Sequence, residues 1–150
     1  MNKKLLSLYG LKFNPFCPDV PTESLFTTPR MDSFFWRVEH TLVPEGGFAL
    51  LSGDPGTGKS TALRILAQRL AISPELSVHA LSRPQGHLAD FYRELGDLFG
   101  VPLHPHNRWA GFKALRERWR AHIDSPLRRP LLLIDEAQEM PPIIFSELRI

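Results

Sequence analysis

Two short stretches carry residue types at spacings that could do chemistry. Gly53-Asp54-Pro55-Gly56-Thr57-Gly58-Lys59-Ser60 has the form G-x-x-x-x-G-K-[ST]. Glycines there let the backbone curl so that successive N–H groups point inward at phosphate oxygens. A helix beginning near Gly58 adds its positive end to the same place. On this reading Lys59 reaches the β- and γ-phosphates, Ser60 ligates Mg²⁺, and Thr61 adds a contact near the α-phosphate. The chemistry implied is binding of a nucleoside triphosphate with magnesium.

The second stretch is Leu131-Leu132-Leu133-Ile134-Asp135-Glu136. An apolar strand carries Asp135 at its carboxyl end, the end of a parallel sheet where ligands bind. Asp135 can hold Mg²⁺ through a water, and Glu136 can polarise an attacking water. The two stretches read as Walker A and Walker B. Adjacent Asp and Glu favour hydrolysis by water over transfer to a small acceptor, so a P-loop kinase is the weaker reading. The N-K-x-D motif with which a GTPase reads its base is absent from these residues.

These residues need elements to position them. Thr28-Pro29 opens a helix, with Thr as N-cap and Pro at the first helical position. Phe34, Phe35, Val38 and Leu42 form its apolar face, and Pro44, Gly46 and Gly47 end it. Phe48-Ala49-Leu50-Leu51 reads as a buried strand before the glycine-rich turn. Ala62, Leu63, Ile65, Leu66 and Leu70 mark the helix after it. Leu76 to Leu81 is a second strand. Leu88, Phe91, Tyr92, Leu95 and Phe99 form a helix capped by Gly100, and Trp109, Phe112, Leu115, Trp119 and Ile123 form another. Leu131 to Ile134 is a third strand, and Pro141 begins a last helix. Strands alternating with helices imply a parallel sheet with helices on its faces. Residues 1–28, with Pro15, Pro18 and Pro21, read as an irregular arm, and 29–150 as the core. Three strands are few for such a sheet, so the sequence reads as the first part of a longer protein.

Composition bounds the rest. The chain has 150 residues, 43% hydrophobic and 23% charged, which fits one ordinary globular domain. No apolar run approaches the roughly 18–20 residues of a membrane helix. Cys17 is the one cysteine, so no internal disulfide forms, as a reducing cytoplasm would expect. A net charge of +2 neither demands nor excludes nucleic acid.

The arm Tyr9-Gly10-Leu11-Lys12-Phe13-Asn14-Pro15-Phe16 resembles the start of AAA+ ATPases of the general secretion pathway protein A (ExeA) type. The likeness continues through Gly47 to Gly53, Phe91 to Gly96, Leu133-Ile134-Asp135-Glu136-Ala137-Gln138-Glu139-Met140 and Glu147-Leu148-Arg149. It extends to the TniB and MuB kinds of ATPase that accompany DDE transposases, which bind duplex DNA and assemble on it. The resemblance implies a three-layer AAA+ sandwich with Lys59 and Glu136 catalytic. It also implies Phe13, Pro15 and Phe16 beside adenine, or else an arm pinned by aromatic packing, and Gln138 as a γ-phosphate sensor or a loop hydrogen bond. A homo-oligomer formed on ATP binding, with duplex DNA and a transposase as partners, is the first expectation. An envelope secretion protein is the alternative. The family's sensor residue, arginine finger and helical lid would follow residue 150, so this stretch alone should hydrolyse ATP poorly.

Other features read more plainly. Lys113, Arg116 and Arg120 share a helical face by their spacing, which suits a solvated surface or phosphate contact. Arg128-Arg129 reads the same way. His104-Pro105-His106 lacks further ligands for a metal and reads as a surface loop.

Overall fold

The computed structural model describes residues 3–17, 20–82, 84, 87–101, 108–124 and 128–148. Helix α1 (Lys3–Leu8) lies in the arm. It closes as Leu11 N–H reaches back past Gly10 to the Leu6 carbonyl at 2.8 Å, a turn that the irregular reading of residues 1–28 did not contain.

Helix α2 (Pro29–Arg37) starts as its sequence dictates: the Thr28 hydroxyl accepts Met31 N–H at 3.2 Å. The helix then widens into a π turn (Val38–Leu42) and ends with Val43–Glu45. Pro44 supplies the cause, because it has no N–H and its ring would strike the His40 carbonyl in a regular turn. The His40 ring stacks on Trp36 and meets the Trp36 carbonyl at 3.0 Å. From the start of β2 (Arg129–Ile134), Arg129 donates to the Val43 and Pro44 carbonyls, which closes the helix end.

The other elements are α3 (Lys59–Ala71), β1 (Leu76–Leu81), α4 (Leu88–Phe99), α5 (Arg108–Asp124), β2 (Arg129–Ile134) and α6 (Pro142–Glu147). Strands β1 and β2 pair in parallel, Leu76 with Arg129 through Leu81 with Ile134. Alternation along each strand splits the apolar residues between two clusters. Leu76, Val78, Leu131 and Leu133 join Phe35, Val38, Ala62, Ile65, Leu66 and Leu70 of α2 and α3. Leu81, Leu132 and Ile134 join Phe91, Leu95 and Phe99 of α4, Leu115 of α5, and Met140 and Ile144. Trp119 lies edge-on to Phe99, with ring centroids 5.3 Å apart. The chain is thus a helix-rich α/β unit about a small parallel sheet.

One expected strand is corrected. Phe48-Ala49-Leu50-Leu51 is not a strand, and Phe48 and Leu50 are 81% and 84% exposed. A strand exists through its ladder bonds, and among the described residues no neighbouring strand pairs with this segment. Only Leu51 packs inward, against the α2–α3 cluster. Among the described residues the sheet therefore has two strands where the sequence suggested three. The His104-Pro105-His106 loop and the Trp109 and Ile123 side chains lie outside the described residues.

Candidate functional site

The glycine-rich loop sits directly before α3. Its turn is held by Thr57, whose N–H and hydroxyl both donate to the Asp54 carbonyl, at 3.3 and 2.8 Å. Gly56 and Gly58 adopt φ of +78° and +86°, a region that side chains disfavour. A Cβ on either would enter open space. Gly58 is the N-cap of α3 and has no side chain with which to cap. The first helical bond runs from Ala62 N–H to the Gly58 carbonyl at 2.8 Å. The Lys59, Ser60 and Thr61 N–H groups, in the first turn of α3, are left for an outside acceptor.

Lys59 closes the loop from the helix side. Its Nζ donates to the Gly53 and Asp54 carbonyls, each at 2.9 Å. This holds a positive charge over the loop and leaves a further N–H for a ligand oxygen. A phosphate group fits this set of donors, which is rich in N–H and cationic in charge.

The acidic half lies at the carboxyl end of β2. Asp135 N–H continues the ladder to the Leu81 carbonyl at 2.9 Å. Asp135 also continues the row of Leu131 and Leu133, whose side chains pack against α3. Its Oδ1 accepts the Glu136 N–H at 2.9 Å. Glu136 has φ of +51°, alone among the described non-glycine residues in being positive. A carboxylate side chain in that region costs about 1 kcal/mol. Residues 137–139 then form a 3₁₀ turn, anchored because Met140 and Ile144 are buried in the α4–α5 cluster. The Gln138 amide donates to the Glu136 carboxylate.

Among the described residues, no hydrogen bond or ion pair joins Lys59 or Ser60 to Asp135 or Glu136. Nor is there a cluster of three His, Cys, Asp or Glu side chains able to hold an ion. Magnesium fits such a site when one carboxylate, a hydroxyl and phosphate oxygens share it, as Asp135 and Ser60 would allow.

The arm is not pinned to the core by its aromatics. Phe16 is 92% exposed, and neither Phe13 nor Phe16 belongs to a core cluster. Leu25 packs against the α2–α3 cluster, and two polar contacts join it: Arg64 donates to the Val20 carbonyl at 2.7 Å and Gln68 to Glu23 at 3.1 Å. Both Arg64 and Gln68 face outward from α3, and no motif in the sequence singles them out. Lys113, Arg116 and Arg120 are exposed on α5, with Lys113 near Glu117 at 3.8 Å.

A glycine-rich loop capping a helix, with an Asp-Glu pair ending a parallel strand, is the signature of a P-loop nucleotide-binding domain. Residues 44–150 match the AAA domain family model, and the chain belongs to that family. The chain is also similar to General secretion pathway protein A of Aeromonas hydrophila, at 30% identity over 145 residues. That match covers 95% of this chain and 26% of the relative, so the chain spans about a quarter of that protein's length. No solved structure matches.

Proposed function

We propose that this chain binds Mg-ATP at residues 53–61 and hydrolyses it to switch its assembly and its grip on a partner. The single observation that carries the reading is the α3 N-terminus, uncapped by any side chain, with Lys59 held over the glycine-rich loop before it. Family membership supports it. The loop N–H groups bind phosphate oxygens, and Lys59 adds its charge at the β- and γ-phosphates. Ser60 and Asp135 hold the metal, which when bound offsets negative charge on the phosphates. Glu136 orients a water and takes its proton. Thr61 lines the α-phosphate side, and Phe13, Pro15 and Phe16 lie toward adenine once nucleotide is bound.

The similarity to a general secretion pathway protein A supports the secretion-type reading, with an envelope assembly as partner. Among the described residues no helix is long and apolar enough to cross a membrane. We place the ATPase part in the cytoplasm, as a homo-oligomer formed on ATP binding. One observation favours the transposition reading, in which duplex DNA and a transposase are the partners. The exposed α5 side chains Lys113, Arg116 and Arg120 could meet phosphates.

ATP turnover with and without duplex DNA, at two salt concentrations, tests both readings. Turnover indifferent to DNA is the expected result. Stimulation that fades with salt would move the assignment to transposition. Absence of ATP binding would sink the proposal altogether.

A further inference from the structure

We propose that Gln138 is a positioning residue for the Glu136 carboxylate. The inference rests on the reading of Glu136 as the group that acts on water. The main chain of Glu136 is fixed on both sides: its N–H is given to Asp135 Oδ1, and its carbonyl accepts Glu139 N–H, each at 2.9 Å. The backbone is held at φ +51°, a conformation that persists only where its surroundings enforce it. The side chain still has free torsions, and the Gln138 amide restrains them by donating to Oε2. A carboxylate gripped by one oxygen presents the other in a set direction. Among the described residues, Oε1 has no hydrogen-bond partner, so it is the oxygen left for water.

Gln138 is placed for this by the 3₁₀ turn over Ala137–Glu139, which brings residue 138 back over residue 136. Its side chain is exposed and its amide is engaged by Glu136, so its effect on a phosphate runs through Glu136. An exposed site also means that substitutions there spare the core.

The test uses the full chain. In ¹⁵N-labelled protein without nucleotide, the Gln138 side-chain amide peak is assigned by its loss in Gln138→Ala. Glu136→Ala should move that peak to the position of a free glutamine. In single-turnover hydrolysis of Mg-ATP, Gln138→Ala should slow the chemical step about tenfold, with ATP affinity unchanged. Gln138→Glu, equal in shape but without the donor, should slow it at least as much. In a Glu136→Gln background, Gln138→Ala should add nothing, because both changes act through one group. An amide peak indifferent to Glu136→Ala would overturn the proposal. So would weakened ATP affinity at an unchanged rate, which marks a direct phosphate contact. Wild-type turnover in Gln138→Ala beside an inactive Glu136→Gln would remove this inference alone. Wild-type turnover in Glu136→Gln would remove the catalytic reading beneath it.

Discussion

The Lys59 ammonium lies 2.9 Å from the Gly53 carbonyl, so the last residue but one of the loop folds back on its first. The charge is thereby stored where phosphate would arrive, and its neighbours are backbone atoms that substitution cannot remove. Lys59→Ala should weaken Mg-ATP binding by about 100-fold or more, the worth of one or two charge-assisted hydrogen bonds. Isothermal titration of both proteins checks this, and equal affinities would refute the phosphate role.

Glu136→Gln keeps the shape of the side chain and removes its basicity. ATP binding should persist while turnover falls about 10²–10⁴-fold. A quench assay for released phosphate, run beside a binding titration, separates the two effects.

Gly58→Ala places a Cβ in open space but at φ +86°. The cost is therefore conformational, about 1–2 kcal/mol. Urea unfolding should show that loss, and a stability equal to wild type would mean the loop relaxes out of its left-handed turn.

Thr28→Ala removes the hydroxyl that accepts Met31 N–H. A loss of about 1 kcal/mol is expected, while Thr28→Ser should restore most of it. Thermal melts of the three proteins give the comparison.

Phe35 is fully buried between α2 and α3, under the Arg69 guanidinium at 5.2 Å. Phe35→Ala should cost about 3–5 kcal/mol and loosen the seat of the P-loop helix. Urea titration measures the first effect, and amide exchange in α3 the second.

Elements with dense local signals were legible from the residues. Thr28-Pro29 announced α2, and the apolar spacing of Phe91, Leu95 and Phe99 announced α4. The turn before α3 was legible because its glycines, Gly56 and Gly58, announce positive φ. Phe48-Ala49-Leu50-Leu51 misled because an apolar run states a wish to be buried without naming a partner. The α2 π turn was hidden because its cause, a proline against a carbonyl, appears only when the helix is drawn in three dimensions. The Arg64 and Gln68 contacts to the arm were equally hidden, since polar side chains on an outer helix face have no fixed destination. At Glu136 the residue type suggested a role, while its left-handed backbone came from the turn around it.

The pairing of Leu76 with Arg129 has a kinetic side. Roughly 50 residues separate the paired positions, so closing that loop costs about 3–4 kcal/mol of chain entropy before the first ladder bond forms. Helices α3, α4 and α5 gather local contacts at much lower cost and form early. The phosphate loop, attached to α3, is therefore shaped at the start of folding. The Asp135-Glu136 pair waits for β2 to find β1, so a newly made chain shapes its glycine-rich loop before it sets its acidic pair.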